Sequence, residues 1–213
     1  MQLEFERFEC FTEKGKQKIA DICKIAARVF DEKGYVVATL EDVAQAVGVT
    51  KGGIFHYFTR KEELLFLILY RYVDASLQAL KKKLERCKSP HERIYVFIQH
   101  HLENYQQNQA ESRLALRERT NLSKNYLRMV KGLERQYREI LKSLLRSLMK
   151  DRKKQDEMLC TYTLLGMVSF PYAWFNPKGR KKSRNLVDLI YRIFVGGLEN
   201  PKDLTVRGPR QNR

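Results

Sequence analysis

The sequence has few cysteines and lacks long apolar segments. Its four cysteines, Cys10, Cys23, Cys87 and Cys160, have no paired spacing, which argues against a disulfide framework and favours free thiols. No run of about 18 uncharged apolar residues exists that could cross a membrane. The acidic, aromatic start MQLEFERFEC also lacks the basic and apolar regions of a signal peptide. These absences predict a soluble, cytoplasmic protein without a membrane partner.

The sequence also lacks the common motifs of catalysis. It contains no GxGxxG or GxxxxGK[ST] nucleotide motif, no GxSxG segment and no cluster of metal ligands. His100 and His101 are adjacent, so on a helix their side chains diverge by about 100° and do not form a shared metal-binding face. We therefore expect a protein that is not an enzyme and that needs neither a metal nor a cofactor.

Positive charge, in contrast, is present in excess. The 213 residues include 41 Lys and Arg against 25 Asp and Glu, which gives a net charge of +16. Such a surplus favours an anionic partner, whether nucleic acid, anionic lipid or a ligand that bears phosphate. Residues 12–61 hold only nine of the basic and six of the acidic residues. Most of the surplus therefore lies beyond residue 61.

Apolar residues recur at helical spacing along the chain, and no segment shows the convincing alternation of a strand. The first periodic segment ends at Gly34, which is typical of a helix C terminus. The last one, NLVDLIYRIFVGGL, ends just before residue 200. We therefore predict an all-α fold with an N-terminal three-helix head in residues 1–60, a larger C-terminal helical domain in 61–200 and a flexible tail in 201–213.

Two short predicted helices meet at a turn that contains glycine. Thr39 is a predicted N-cap with Asp42 three residues later, as in a capping box, and Gly48 ends this helix. Thr50 is a second N-cap that begins the next helix. Two short helices joined in this way indicate a helix-turn-helix, whose second helix enters the major groove of DNA.

Gly52 and Gly53 stand in the first turn of this predicted recognition helix. Each should weaken a helix by about 0.5–1 kcal/mol relative to alanine. Because a recognition helix contacts base edges with its N-terminal residues, missing side chains there would let the backbone approach the bases and the sugar-phosphate closely. Neighbouring residues that could donate to phosphates or bases are Thr50, Lys51, His56 and Tyr57.

Residues 16–66 resemble the DNA-binding region of the TetR family of bacterial transcriptional regulators, in the segments IADICKIAARVFDEKGY and TLEDVAQAVGVTKGGIFHYFTRKEELL. The resemblance implies a homodimer that binds a palindromic operator and represses until a small-molecule effector enters the C-terminal domain. It implies phosphate contacts from Thr39, Thr50, Tyr57 and Lys61, and base-facing positions for Lys51, Gly52, Gly53 and His56. Phe55 stands where many members have tyrosine, so it would pack on a thymine methyl or on the small core.

The C-terminal half resembles the branch of this family that senses acyl-CoA thioesters, as in fatty-acid metabolism. The segments RERTNL, LERQYREIL and LLGMVSFPYAWFNPKGR carry this resemblance, and its matching residues are Gly166, Met167, Trp174, Pro177, Gly179 and Arg180. Phe170 replaces a tryptophan of the branch pattern, and Asn176 replaces an arginine. The resemblance implies an acyl-CoA or related hydrophobic acid derivative as effector. It also implies a dimer seam between the last two helices of each subunit.

An acyl-CoA needs an apolar lining for its chain and cations for its phosphates. The candidate lining residues are Tyr105, Tyr137, Tyr162, Phe170 and Trp174, and the candidate head-group partners are Arg113, Arg117 and Arg119. Each aromatic also fits a plain core position, and each arginine fits a solvated surface. Two alternatives therefore stay open: a C-terminal half that serves only dimerisation or a protein partner, and a sensor of an unrelated hydrophobic drug.

Overall fold

The computed structural model describes residues 12–149, 154–175 and 183–199, and these ranges form nine α-helices and two 3₁₀-helices without a strand. The helices are α1 Glu13–Lys33, α2 Leu40–Val47, α3 Lys51–Tyr57, α4 Lys61–Glu85, α5 Pro90–Gln107, α6 Gln109–Arg117, α7 Lys124–Leu148, α8 Lys154–Ser169 and α9 Ser183–Glu199, with 3₁₀-helices at Arg119–Asn121 and Phe170–Ala173. The all-α prediction is confirmed. The predicted tail, 201–213, and the motif residues Asn176, Pro177, Gly179 and Arg180 lie outside the described residues.

The chain divides into two compact units, and each unit combines two stretches of sequence. The first unit comprises residues 1–78 and 108–136, and the second comprises residues 79–107 and 137–213. The three helices of the predicted head lie in the first unit together with α6 and the first half of α7. In the described ranges, no helix is long and apolar enough to traverse a lipid bilayer.

The first unit forms around the apolar face of α1. Ile22, Ala26 and Phe30 repeat at helical spacing and are fully buried, and α1 packs against both α2 and α6. The contact with α6 includes an ion pair in which Arg113 Nε donates to both carboxylate oxygens of Asp31, at 2.8 and 2.9 Å. Because this pair is largely shielded from water, it fixes α6 to α1 more firmly than a surface pair would.

The second unit has its own apolar core, built by the end of α4, α5, the second half of α7, α8 and α9. Fully buried side chains from these helices include Phe97, Leu141 and Leu164, and each contributes about 1.5–3 kcal/mol by leaving water. Polar contacts at the edges join the same helices. Tyr95 Oη donates to Asp188 Oδ1 at 2.7 Å and thereby links α5 to α9.

Candidate functional site

Hydrogen-bonded caps fix the turn between α2 and α3. Thr39 Oγ1 accepts from the backbone N–H of Asp42 at 3.1 Å, and Asp42 Oδ2 accepts from the backbone N–H of Thr39 at 2.8 Å. Gly48 ends α2 in the left-handed conformation with φ 75°, where a side chain would be strained. Thr50 Oγ1 then accepts from the N–H of Gly53 at 3.1 Å. The two predicted N-caps and the glycine turn of the helix-turn-helix are therefore confirmed.

The charge of Asp42 is also held in place by its neighbours. Lys33 Nζ donates to Asp42 Oδ2 at 2.7 Å, in addition to the capping contact with Thr39. These hydrogen bonds, the one from Lys33 foremost, lower the pKa of Asp42 to about 2. The capping box consequently persists throughout the neutral pH range, and α2 keeps a defined start.

Helix α3 has one buried face and one exposed face. Ile54 in α3 and Phe58 directly after it are fully buried, whereas Phe55 exposes 37% of its surface. Lys51 and His56 are exposed as well. Phe55 is therefore only partly covered, and its ring centre lies 5.8 Å from Lys51 Nζ. Its two expected surroundings, a thymine methyl and the small core, stay predictions. The exposed face of α3 thus combines a cation, an aromatic ring and an imidazole.

Lys51 has a carboxylate partner on α2. Its Nζ lies 2.8 Å from Glu41 Oε1, and the side chains expose 70% and 47% of their surface. The hydrogen bond from Lys51 lowers the pKa of Glu41. Because ion pairs this exposed are weak and screened by salt, a DNA phosphate or base acceptor would compete readily with Glu41 for Lys51.

The two glycines of α3 have different surroundings. A Cβ atom on Gly52 would meet nothing within 4 Å, but one on Gly53 would lie 3.3 Å from Thr50 Oγ1 and 3.4 Å from Val49 Cβ. Gly52 therefore leaves open space at the first turn of α3. A side chain on Gly53 would crowd Thr50, the N-cap residue of the same helix, so the packing within the first unit already favours glycine at this position. The expected close approach of the backbone to DNA accordingly depends on Gly52.

Lys61 is held within the first unit. Its Nζ donates to the carbonyl oxygens of Tyr35, Val36 and Ala38 at 2.7, 2.9 and 2.8 Å, and it lies 4.6 Å from the centre of the Tyr35 ring. An ammonium group has three N–H donors, and these carbonyls take all three. This arrangement leaves no donor for the phosphate contact implied by the family resemblance. Lys61 instead ties the loop between α1 and α2 to the start of α4.

The remaining residues expected at phosphates surround α3. Thr39 and Thr50 are exposed, and the Oγ1 of each accepts a cap hydrogen bond from a backbone N–H. Tyr57 is half-buried and its ring stands edge-on to that of His56, with 5.0 Å between the ring centres. Their contacts with DNA stay predictions.

The three arginines expected at an effector's head group lie in the first unit. Arg113 is engaged by Asp31, and its Nη2 also contacts that carboxylate. Arg119 Nη1 lies 3.5 Å from Glu134 Oε2, and Arg117 is exposed. A phosphate at Arg113 would have to displace a carboxylate that holds two helices together. The structure therefore gives Arg113 a role in the fold.

The five aromatics expected to line a pocket fall into two groups in the second unit. Tyr162, Phe170 and Trp174 expose 55%, 63% and 59% of their surface, so they lie outside the apolar interior of this unit. Tyr105 and Tyr137 are half-buried. The surroundings of Tyr162, Phe170 and Trp174 correspond better to an interaction surface than to the lining of an enclosed cavity.

A series of polar side-chain contacts around His101 lies in the second unit, and the sequence analysis missed it. Tyr137 Oη lies 3.3 Å from His101 Nδ1, and Ser169 Oγ lies 3.2 Å from His101 Nε2. Burial lowers the pKa of His101 to about 4, with a smaller effect from His100. His101 is therefore neutral at physiological pH, with one of its two neighbours donating to it. Helical spacing excludes a shared metal face with His100, but it gives no signal for partners 36 and 68 residues away.

Large apolar side chains are exposed on the last two helices and in the 3₁₀ segment that follows α8. We call this set the α8–α9 face, and its members are Met158, Leu159, Tyr162, Phe170, Trp174, Leu189 and Ile193, which all expose close to half of their surface or more. The two helices also contact each other within the second unit. Several large apolar side chains exposed on neighbouring helices are typical of an interaction surface. These are the helices expected to form the dimer seam.

Two family descriptions match the chain and cover different parts of it. Residues 22–68 match "Bacterial regulatory proteins, tetR family", and residues 87–198, over half of the chain, match "Tetracyclin repressor-like, C-terminal domain". The chain belongs to the TetR family. The first match contains the caps, the turn and α3, and the second contains α8 and most of α9, so the TetR resemblance expected from the sequence is confirmed.

Individual TetR-family relatives align with different shares of the chain. The uncharacterised regulator YfiR of Bacillus subtilis is 31% identical over 84 residues, which are 39% of this chain and 38% of YfiR. The chain thus spans about two fifths of that relative's length. PfmR of Thermus thermophilus shares 26% identity with a TM-score of 0.75 over 83% of this chain and 98% of PfmR. AibR, solved with isovaleryl coenzyme A and operator DNA, shares the fold, with 23% identity and a TM-score of 0.74. The match covers 83% of this chain and 97% of AibR.

Proposed function

We propose that this chain is a DNA-binding transcriptional regulator that reads the major groove with α3. The observation that carries the proposal is the exposed face of a short helix capped by Thr50, on which Gly52 leaves open space and whose opposite face is buried. The first turn of a recognition helix approaches base edges most closely. The proposed base-facing residues are Lys51, Gly52, Phe55 and His56, with phosphate contacts from Thr39, Thr50 and Tyr57.

The proposed assembly is a homodimer that buries the α8–α9 face. The exposed apolar side chains of this face would gain about 25 cal/mol for each Å² of apolar surface removed from water. A twofold dimer presents one α3 to each of two successive major grooves, roughly 34 Å apart. The expected operator is therefore a palindrome.

The proposed effector is an acyl-CoA or a related hydrophobic acid derivative, and the proposed regulation is release of a repressor from its operator. The net charge of +16 favours a phosphate-bearing ligand. AibR, which shares this fold, has been crystallised with an acyl-CoA and operator DNA. An effector that favours the released state by about 2–3 kcal/mol would lower operator affinity roughly 30- to 150-fold.

Selection from a pool of random DNA duplexes tests the proposed DNA binding. The wild-type chain should enrich a palindrome whose half-site centres lie about 10 base pairs apart. Gly52→Glu should enrich no sequence, because it places bulk and negative charge at the bases, and its thermal stability should not fall because a carboxylate is favourable at a helix N terminus. The matched control, Gly52→Ala, adds one methyl group and should retain the selected sequence. Enrichment of the same palindrome by Gly52→Glu contradicts the proposal.

Titration of the resulting protein–DNA complex tests the effector class. Acyl-CoAs of increasing chain length should release the duplex at micromolar concentration, and the corresponding free acids show whether the CoA part is needed. Free coenzyme A serves as the control without an acyl chain. Indifference to all thioesters and acids would instead support a C-terminal half that serves dimerisation or a protein partner.

A further inference from the structure

The first half of α7 carries a groove lined by four cations. Lys124, Arg128, Lys131 and Arg135 line an open groove of about 380 Å³ together with Leu127 and Gly132. The cations are spaced by three or four residues, so they follow one face of the helix over roughly 16 Å. All four side chains are exposed. The groove lies entirely within the first unit.

The positive charge of this groove is not neutralised within the described part of the chain. The acidic residues of α7 point elsewhere, since Glu134 faces Arg119 and Glu139 faces Lys142. Among the residues that the structure describes, none forms an ion pair or hydrogen bond with the four lining cations. Four like charges along three turns of helix repel one another. A bound anion would relieve that repulsion.

Gly132 provides the space between the two arginines. It lies four residues after Arg128 and three before Arg135, so both side chains flank it on the same helix face. A Cβ atom there would meet nothing within 4 Å, and a glycine inside a helix costs about 1 kcal/mol relative to alanine. Within the part of the chain that the structure describes, no packing contact explains this glycine, whereas a ligand lying across the helix backbone would.

We infer that this groove binds the phosphate groups of a small molecule that carries two or more phosphates. Arg128 and Arg135 offer planar guanidinium groups, which bind phosphate oxygens in pairs. Lys124 and Lys131 add two point charges, and Leu127 gives an apolar contact for the part of the ligand next to the phosphates. The volume of about 380 Å³ lies near the lower end of the range of small-molecule sites.

The site also bears on the proposed effector. Arg113 and Arg119, the residues first expected at a CoA head group, face carboxylates, while the α7 groove has cations without such partners. A role of the groove in release from DNA rests on the proposed function, but binding of a diphosphate does not. The two are therefore tested separately, and the binding measurement contains no DNA.

Isothermal titration of the full chain with coenzyme A, ADP and inorganic pyrophosphate tests this inference. We expect at least one of them to bind saturably in the micromolar range, with affinity that falls as salt rises. The double variant Arg128→Gln with Arg135→Gln should weaken binding at least tenfold, and Gly132→Glu should abolish it. Lys142→Gln removes one positive charge from the same helix outside the groove and should change the affinity less than twofold. Thermal unfolding confirms that each variant is folded.

The three probes also distinguish sources of the phosphate. Binding of all three shows that a diphosphate suffices, while binding of coenzyme A alone shows that its further groups are needed, and either result supports the inference. Absence of saturable binding, or equal affinity in the double variant, overturns it. The inference is also overturned if the wild type binds none of the probes and the double variant loses affinity for duplex DNA. That result would show that the groove on α7 contacts DNA.

Discussion

Replacing Lys61 by methionine separates a structural role of this residue from contact with DNA. The variant keeps the apolar stem but loses the three hydrogen bonds from Nζ to the carbonyl oxygens of Tyr35, Val36 and Ala38. A hydrogen bond that involves a charged group contributes about 1.5–3 kcal/mol, and water replaces part of it where the site is partly exposed. We therefore expect the free energy of unfolding to fall by about 2–4 kcal/mol in total.

Two measurements together decide the role of Lys61. Urea unfolding gives the free energy of unfolding, and the salt dependence of duplex affinity counts phosphate contacts. Each neutralised phosphate contributes about −0.9 to the slope of log K against log salt concentration. For Lys61→Met we expect lower stability and an unchanged slope. Lys24 is an exposed lysine of α1, so Lys24→Met removes the same charge without the hydrogen bonds and should leave stability unaltered.

The opposite result would refute this reasoning. If Lys61→Met is as stable as the wild type and its salt slope is smaller by about one unit, then the ammonium group binds a phosphate rather than the loop between α1 and α2. That result would support the contact between Lys61 and a DNA phosphate that the family resemblance implies.

Three further predictions concern α3, the second unit and the dimer. Gly52→Ala should raise the free energy of unfolding by about 0.5–1 kcal/mol. Gly53→Ala should raise it less or lower it, because the added Cβ would press on the N-cap residue Thr50. The midpoints of urea unfolding of the two variants and the wild type give this comparison. Burial lowers the pKa of His101 from 6.5 to about 4, so the unfolded chain takes up a proton at higher pH than the folded chain does. The free energy of unfolding should therefore fall by up to about 3 kcal/mol as the pH drops from 6.5 to 4. In His101→Gln, the free energy of unfolding measured in urea should change much less over this pH range. Leu159→Glu with Ile193→Glu should convert the proposed dimer to a monomer in sedimentation velocity, and an intact dimer would contradict the assigned seam.

The helix-turn-helix could be predicted because its signals are local. Thr39 and Asp42 are three residues apart, as are Thr50 and the N–H that it caps, so spacing alone identifies both helix starts. Gly48 ends α2 for a reason that depends on its own backbone angles. Such short-range rules are readable without knowing what packs against the segment.

Roles that depend on distant partners could not be predicted in this way. The contacts of Lys61 with the loop and of Arg113 with Asp31 join residues 26 and 82 positions apart. An aromatic such as Trp174 fits a core, a pocket or an interface equally well by type, and only its 59% exposure places it on a surface. Local patterns do not encode which charged or aromatic side chains meet after folding.

Methylation interference on the selected duplex tests the central claim most directly, namely that the open first turn of α3 lies in the major groove. A methyl group on guanine N7 occupies the major groove, whereas one on adenine N3 occupies the minor groove. We expect N7 methylation to block binding at two symmetric positions about one helical turn apart, and the Gly52→Ala variant to give the same positions. Interference confined to adenine N3 methylation would contradict the account.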